Sequence, residues 1–394
     1  MAETAPNPLR ERTDPGRTAS ASGEGTLRIL HIAGSMPDDW GGIERYVLTL
    51  ARAQADLGHV VTIAGVPDSP LLNRVQAEAP QVLVKPQITR SKYDLKAVGQ
   101  LRALMASREY DVAVTHFSPD YLVAGWAARW SGFSGLLMTR HLVIPFKPGR
   151  ARAYARQYKG FIGVSQASAE SLLASGLIRK QVMAAPFGCA GLVPSFSAGT
   201  GWGPRTFGIF GRLVDDKGVH VAIDALRRME EEAELHIFGR GPAEASLRAL
   251  AGDLVDEPRT REDVPEPAMR RKVIFHGYTE GVADVMAAVG TVILPSVWEE
   301  AFSVALLEAM SLGKPIIASR VGGVPDAVTD DEHAWLVPKN DPAALARSMD
   351  AVIRIPESAA ALGRAARIRW ESEFTPERGA IRVTQAYSDL LSRR

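Results

Sequence analysis

Two acidic residues, Glu300 and Glu308, stand eight positions apart in SVWEEAFSVALLEAMSLGKP (residues 296–315). The second sits among apolar neighbours, where a plain core helix carries no charge. An ionised carboxylate there needs hydrogen bonds to offset its desolvation, and a diol such as that of a ribose supplies two. Ser303 is a residue type that caps helix N-termini, and Gly313, with Pro315 just beyond, is a stop signal. The helix predicted between them would aim the free N–H groups around Phe302, Ser303 and Val304 at an anion, and a diphosphate fits. Glu300 beside that site repels phosphate, so its partners would be hydroxyl donors, as on a sugar. On these residues alone, an N-terminal helix acid favoured by the dipole plus a semi-exposed one reads equally well.

A second cluster lies in GRLVDDKGVHVAIDAL, where Arg212 and Lys217 flank a turn and Gly211 permits close backbone approach. A cation at a helix N-terminus is electrostatically disfavoured, so Lys217 implies a nearby anion. Two fixed positive charges could stabilise a departing diphosphate. Gly41 and Gly42 close the loop after the first strand, where missing side chains let backbone approach phosphate or sugar, or simply make a turn. GSMPDDWGG is not the G-x-G-x-x-G dinucleotide fingerprint. His116 follows the strand DVAVT and His141 follows GLLMTR; each is a cleft-facing candidate or a hydrogen-bonded strand-end histidine.

The stretch from Arg140 to Lys159 carries Arg140, Lys147, Arg150, Arg152, Arg156 and Lys159 without an acid, interspersed with Phe146, Tyr154 and Tyr158. It is a solvated basic face, or it holds an anionic acceptor or a membrane surface. No recognised motif links the charge to nucleic acid.

These residues need elements to position them. Short apolar runs alternate with helical periodicity: LRILHIAG, IERYVLTLARAQADLG and HVVTIAG make a β-loop-α-β unit, and the alternation continues through DVAVTHF, GLLMTRH and GFIGVS. It restarts with TFGIFGRL, ELHIFGRG, KVIFHGY, TVILPS, PIIAS and AWLVP. Such alternation predicts an α/β protein with parallel sheets covered on both faces, and ligands beyond the carboxyl ends of the strands. At 394 residues the chain suits two domains. The boundaries read as a disordered tail over 1–25, a first domain over 26–190, a Gly, Pro and Ser-rich linker over 191–204, and a second domain over 205–380. Between Thr26 and Ala190 there are 19 Lys and Arg against 11 Asp and Glu, and between Arg205 and Ala380 there are 21 against 29. The first half thus favours an anionic partner or membrane surface. Cys189 is the single cysteine, so no intrachain disulfide framework exists. With no secretory signal and no run of eighteen apolar residues, a cytoplasmic protein is expected, with contact at the inner face of the cytoplasmic membrane.

Taken together, these positions resemble glycosyltransferase family 4, a retaining group with the GT-B fold: two doubly wound Rossmann-like domains facing across a cleft. The motifs are the E-x7-E of Glu300 and Glu308 within PSVWEEAFSVALLEAMSLGKPIIASRVGGVPDAV, then GRLVDDKG, FGRGP (residues 238–242), VIFHGY (273–278) and WGGIERYVLTLARAQADLGHVV. The resemblance implies that Arg212 and Lys217 bind the diphosphate of a nucleotide-sugar donor and that Glu308 holds its ribose. Glu300 would contact the transferred sugar, His116 would line the sugar site, and backbone near Tyr278 would meet the base. Gly239, in FGRGP, joins the donor side, whereas Arg140, His141, Lys147 and Arg150 face the acceptor or membrane. A final helix, from about residue 381, would return to the first domain. No metal and no cofactor are implied, since cationic side chains and helix termini carry the charge. The expected activity is sugar transfer from a UDP-sugar, or else a GDP-sugar, to a hydroxyl on a polysaccharide, lipid-linked glycan or small molecule. Alternatives are a sugar-nucleotide 2-epimerase of the same fold and a catalytically silent nucleotide-sugar-binding partner. Ser303 stands where Gly is frequent, Asp326 replaces a usual Glu, and PFGCAG replaces Asn-Gly-Val-Asp at the interdomain rim.

Overall fold

The computed structural model describes residues 25–35, 40–195, 201–256 and 271–393. All but the last position of the predicted tail, and residues 196–200 of the predicted linker, lie outside the described residues. Seven strands, β1 (Arg28–Ala33), β2 (Val60–Gly65), β3 (Leu83–Pro86), β4 (Val112–Thr115), β5 (Leu136–Arg140), β6 (Gly160–Gly163) and β7 (Val182–Ala184), form one sheet in the order β3-β2-β1-β4-β5-β6-β7. Seven more, β8 (Gly203–Phe210), β9 (Glu234–Phe238), β10 (Val255–Asp256), β11 (Lys272–Gly277), β12 (Val289–Leu294), β13 (Ile316–Ser319) and β14 (Trp335–Val337), form a second in the order β10-β11-β9-β8-β12-β13-β14. Neighbouring strands pair in parallel.

The central strands are apolar runs because helices cover both faces: β4, β5, β6, β9 and β13 are buried at every residue. The edge strand β3, LVKP, is mostly exposed and ends in proline, which hides it from hydropathy but suits an edge. Gly203 and Pro204, expected in the linker, already belong to β8.

In the first half the helices are α1 (Gly42–Asp56), α2 (Pro70–Glu78), α3 (Leu95–Ala106), α4 (Ser118–Ser131), α5 (Pro148–Gln157) and α6 (Gln166–Ala174). The second half carries α7 (Val219–Arg228), α8 (Glu244–Ala251), α9 (Val282–Ala288), α10 (Val304–Ser311), α11 (Val324–Ala327), α12 (Pro342–Arg354) and α13 (Pro356–Arg369); α14 (Pro376–Ser392) closes the chain. Polar caps start several of them, including Asp94 for α3, Ser165 for α6, Ser303 for α10 and Thr375 for α14.

α14 crosses back to pack on α1. Its buried Thr384 accepts from Gln54 Nε2 at 3.0 Å. PFGCAG runs beneath this return, with Cys189 N donating to Phe374 O at 3.0 Å; burial pushes the Cys189 thiol well above its ordinary range.

Each sheet reverses its direction of winding once, between β1 and β4 and between β8 and β12. The loops leaving those four strands open the crevice where ligands of doubly wound sheets bind. Gly41, Gly42 and His116 lie after β1 and β4, and Arg212, Lys217 and Glu300 lie after β8 and β12.

Candidate active site

The reversal between β8 and β12 brings Lys217 and Glu300 together. The two loops are joined by Val297 N donating to Asp216 O at 3.0 Å. Lys217 Nζ then meets Glu300 Oε1 at 2.5 Å, and Ser296 Oγ reaches the same oxygen at 2.5 Å. Burial pushes the Glu300 carboxyl up, but the charge and hydrogen bond of Lys217 with hydrogen bonds from Ser296 and Ser303 outweigh it, holding it below the usual carboxylate range. Lys217 and Ser296 both use Oε1, so the ionised carboxylate keeps acceptor capacity for a hydroxyl. Arg212 is exposed in the loop that ends in Lys217.

The GGVP turn fixes the Glu300 backbone from the other side. Gly323 N donates to Glu300 O at 2.8 Å, and Gly322 N donates to Glu299 Oε2 at 2.7 Å. Gly322 has φ +49°, and a Cβ there would stand 1.9 Å from Glu300 O, so only glycine fits. Beyond the turn, the Asp326 carboxylate accepts from Gln166 N at 2.5 Å, bridging the second half to the N-terminus of α6 in the first. The shorter Asp, where the family favours Glu, reaches a backbone amide of the opposite domain.

Ser303 caps α10, accepting from Leu306 N at 3.4 Å. Phe302 packs between halves, its ring 5.3 Å from Phe187 and 5.8 Å from Phe374. One turn along α10, Glu308 is 7% exposed and faces an interdomain cavity of about 510 Å³, whose lining includes Val304, Tyr278 and Thr279. Burial raises the Glu308 carboxyl despite the opposing charge and hydrogen bond of Arg45. That partner, Arg45 Nη1 at 2.7 Å, comes from α1 of the other domain and is missed by sequence reasoning. Its signal was the WGGIER motif, where the arginine itself carried no assigned role. Tyr278 is 60% exposed at the cavity edge.

Several of the candidate residues find partners within the protein. The amides of Gly211 and Gly239 are engaged, donating to Phe238 O at 3.0 Å and Gly277 O at 2.7 Å. A Cβ on Gly239 would stand 1.8 Å from Gly211 O, a close approach of two protein backbones, whereas a Cβ on Gly211 would meet nothing within 4 Å. Gly41, the N-cap of α1, donates its N–H to Glu44 Oε2 at 3.0 Å, and Gly42 is the first residue of that helix. Arg140 does not join the exposed basic face. It is 5% exposed, its guanidinium lies 4.4 Å from the centre of the Phe146 ring, and Nη2 donates to Ile144 O at 2.8 Å. Phe146, Tyr154 and Tyr158 are buried too, since Tyr154 and Tyr158, four apart, turn inward together. Lys147, Arg150, Arg152 and Arg156 remain outside. The exposed aromatics of this half lie instead around α3 and α4, where Tyr93 and Trp130 are 60% and 54% exposed.

His116 is 1% exposed and does not open onto the cleft. It is the middle of a chain: His31 Nδ1 to His116 Nε2 is 2.9 Å, and His116 Nδ1 to His141 Nε2 is 3.4 Å. Gln54, oriented by Thr384, presents Oε1 to His31 Nε2 at 2.8 Å. His31 therefore carries its proton on Nε2, and each imidazole passes the same tautomer onward until His141 Nδ1 is left as an acceptor. Burial drives all three below the usual histidine value, to about 4 for His31 and about 3 for His141, with the neighbouring histidines adding to the effect on His116. His141 is only half-buried and packs edge-on to Tyr46 at 4.7 Å, so it is the member nearest the surface. Asp120 was also missed. It is fully buried on α4, pinning Ser35 after β1 through Ser35 Oγ at 2.9 Å, and burial lifts it to about 6.

Among the described residues, no cluster of three or more His, Cys, Asp or Glu is placed to hold a metal ion, and no helix is long and apolar enough to cross a membrane.

This geometry can be set beside known proteins. The putative colanic acid biosynthesis glycosyltransferase WcaL of Escherichia coli is 32% identical over 175 residues, 42% of this chain. The match spans only about two-fifths (40%) of the length of WcaL. The phosphatidyl-myo-inositol mannosyltransferase of Mycobacterium leprae is 26% identical over 349 residues, covering 83% of this chain and 88% of that protein. In fold, the crystal structure of Anabaena Alr3699/HepE in complex with UDP superposes with a TM-score of 0.74 at 18% identity, over 92% of this chain and 100% of that one. Residues 40–188 match the family model Glycosyltransferase Family 4, and residues 204–354 match the model Glycosyl transferases group 1. With its two halves matched in order, and with paired parallel sheets meeting at their reversal points, the chain belongs to glycosyltransferase family 4 and has the GT-B fold.

Proposed function

We propose that this glycosyltransferase moves a sugar from a nucleotide-diphosphate donor, a UDP-sugar in the first instance, to an acceptor hydroxyl with retention of anomeric configuration and without a metal ion. The observation that carries the reading is the Lys217–Glu300 pair at the β8/β12 reversal, with Glu308 eight residues on at the interdomain cavity. Lys217 and Arg212 would hold the diphosphate, supplying the positive charge that a divalent ion supplies elsewhere. Glu308 would take the ribose hydroxyls, and Glu300 a hydroxyl of the transferred sugar. As the bond between the anomeric carbon and the phosphate oxygen breaks, Lys217 would stabilise the charge developing on the diphosphate. The acceptor oxygen would bond to the same face of the sugar and pass its proton to the leaving phosphate. A UDP donor is supported by UDP in the HepE complex of the same fold, and a glycan or lipid acceptor by the names of WcaL and the M. leprae enzyme.

The direct test is a thermal-shift screen with UDP, GDP, ADP and their sugar conjugates in EDTA. A ligand that binds only the folded state raises the melting temperature, by about 2.7 kcal/mol of stabilisation at a hundredfold excess over Kd. UDP is expected to give the largest shift, unaltered by EDTA and lost in Arg212→Ala. A shift that needs a divalent ion would exclude metal-independent donor binding, and no shift with any nucleotide would exclude the donor reading.

The contact of the basic half with anionic membranes is proposed through Lys147, Arg150, Arg152 and Arg156, all exposed, together with Tyr93 and Trp130. Co-sedimentation with phosphatidylglycerol vesicles but not phosphatidylcholine vesicles, reduced in Arg150→Ala/Arg152→Ala, is the expected result. Equal recovery in both supernatants would refute it.

A further inference from the structure

Both carboxylates of the E-x7-E pair are held by a cation, but from different places. Glu300 is paired with Lys217 of its own domain, whereas Glu308 is paired with Arg45 of the opposite one. The Glu308 side chain is 10% exposed and that of Arg45 39%, so the guanidinium covers an otherwise enclosed carboxylate while keeping much of its own surface in water. Arg45 and Glu308 both line the interdomain cavity, with Tyr278 and Val304 on the same wall. A diol approaching Glu308 from that cavity meets Arg45 Nη1 already on Oε1, 2.7 Å away.

We propose that Arg45 is a positioning residue of the donor site contributed by the acceptor-side domain: it occupies Glu308 until the donor ribose takes over the carboxylate. This rests on the reading of Glu308 as the ribose ligand. The exchange suits both partners. Glu308 trades a charge-assisted bond for two hydroxyl donors and stays satisfied, and Arg45, its side chain already 39% exposed, is rehydrated at small cost. The ion pair also joins α1 to α10 across the cleft, so its release by a nucleotide would loosen one domain contact whenever the donor site fills. A site that is competent only when the pair is open has an apparent affinity reduced by the open fraction; a pair closed about nine-tenths of the time weakens binding roughly tenfold. Arg45 therefore tunes donor affinity through Glu308 without touching the reacting atoms.

The test is UDP affinity, by titration calorimetry or displacement of a fluorescent nucleotide, in wild type, Arg45→Ala, Arg45→Lys, Glu308→Gln and the Arg45→Ala/Glu308→Gln double variant. Arg45→Ala is expected to bind UDP about 3- to 10-fold more tightly. Arg45→Lys should lie between it and wild type, and the gain should vanish in the Glu308→Gln background. Weaker or unchanged binding in Arg45→Ala overturns the exchange, as does a gain that persists without the Glu308 carboxylate. Should Arg45→Ala fail to fold, Arg45→Gln, which keeps length and polarity without charge, is read by the same criteria. Absence of UDP, GDP and ADP binding in the wild type is a separate result, which removes the donor reading itself and this exchange with it.

Discussion

Lys217→Ala is expected to lower kcat by about two to three orders of magnitude, the usual cost of losing one preorganised charge at a developing anion, with a much smaller loss of UDP affinity. The asymmetry follows from timing: the leaving diphosphate carries more charge in the transition state than in the bound donor, so Lys217 matters most there. The variant also removes the partner of a carboxylate that is 13% exposed. Burial then acts on Glu300 against only the serine hydrogen bonds, and its pKa rises. Below that raised pKa the carboxylate is lost, so the acidic limb of the pH–rate profile should move to higher pH. Lys217→Arg, which keeps the charge, should restore part of kcat and return the limb. Donor hydrolysis and transfer rates between pH 5 and 9 give the measurement; equal losses in affinity and turnover, or an unmoved acidic limb, would contradict this role.

Glu308→Ala is expected to act on binding instead, weakening UDP about a hundredfold. Two hydrogen bonds to a charged acceptor disappear together, each worth about 1.5–3 kcal/mol net of water, and the lower end of that range gives about a hundredfold. Stability should change little, because the deletion removes a carboxylate that burial already disfavours and leaves Arg45 free to hydrate. Calorimetric Kd values alongside melting curves separate the two: an unchanged Kd would remove Glu308 from the ribose site, and a collapse in melting temperature would make it a structural residue. These two expected outcomes would divide donor holding, by Glu308, from donor cleavage, by Lys217.

Not all of this was legible in the chain. The α10 helix and its Ser303 cap are written in consecutive residues, because capping and helical periodicity are local. The inward turn of Tyr154 and Tyr158 is legible too, in their four-residue spacing, although the arginines between and around them give the stretch the composition of a basic face. Arg45 was not legible as a partner of Glu308. The two stand 263 positions apart, and only the closing of two domains brings them to 2.7 Å. The same holds for Asp326, whose carboxylate finds Gln166 N 160 positions away, and for His116, which looks like a cleft histidine until His31 and His141 enclose it.

By itself the sequence determined the secondary structure of the central strands, the doubly wound class of both halves and the identity of the E-x7-E, GRLVDDKG and GGVP segments, since periodicity, caps and glycine stops act within a few residues. The tertiary structure decided which oxygen faces which cation, because the winding of each parallel sheet reverses at β1/β4 and β8/β12 and so places loops distant in sequence side by side. It also decided which polar groups are spent inside the protein: the amides of Gly41, Gly211 and Gly239, the Nη2 of Arg140 and the His116 imidazole all find internal partners. The physical reason is that a polar group buried on folding must find a partner, and which partner is within reach is a property of the packed chain rather than of its neighbours in sequence.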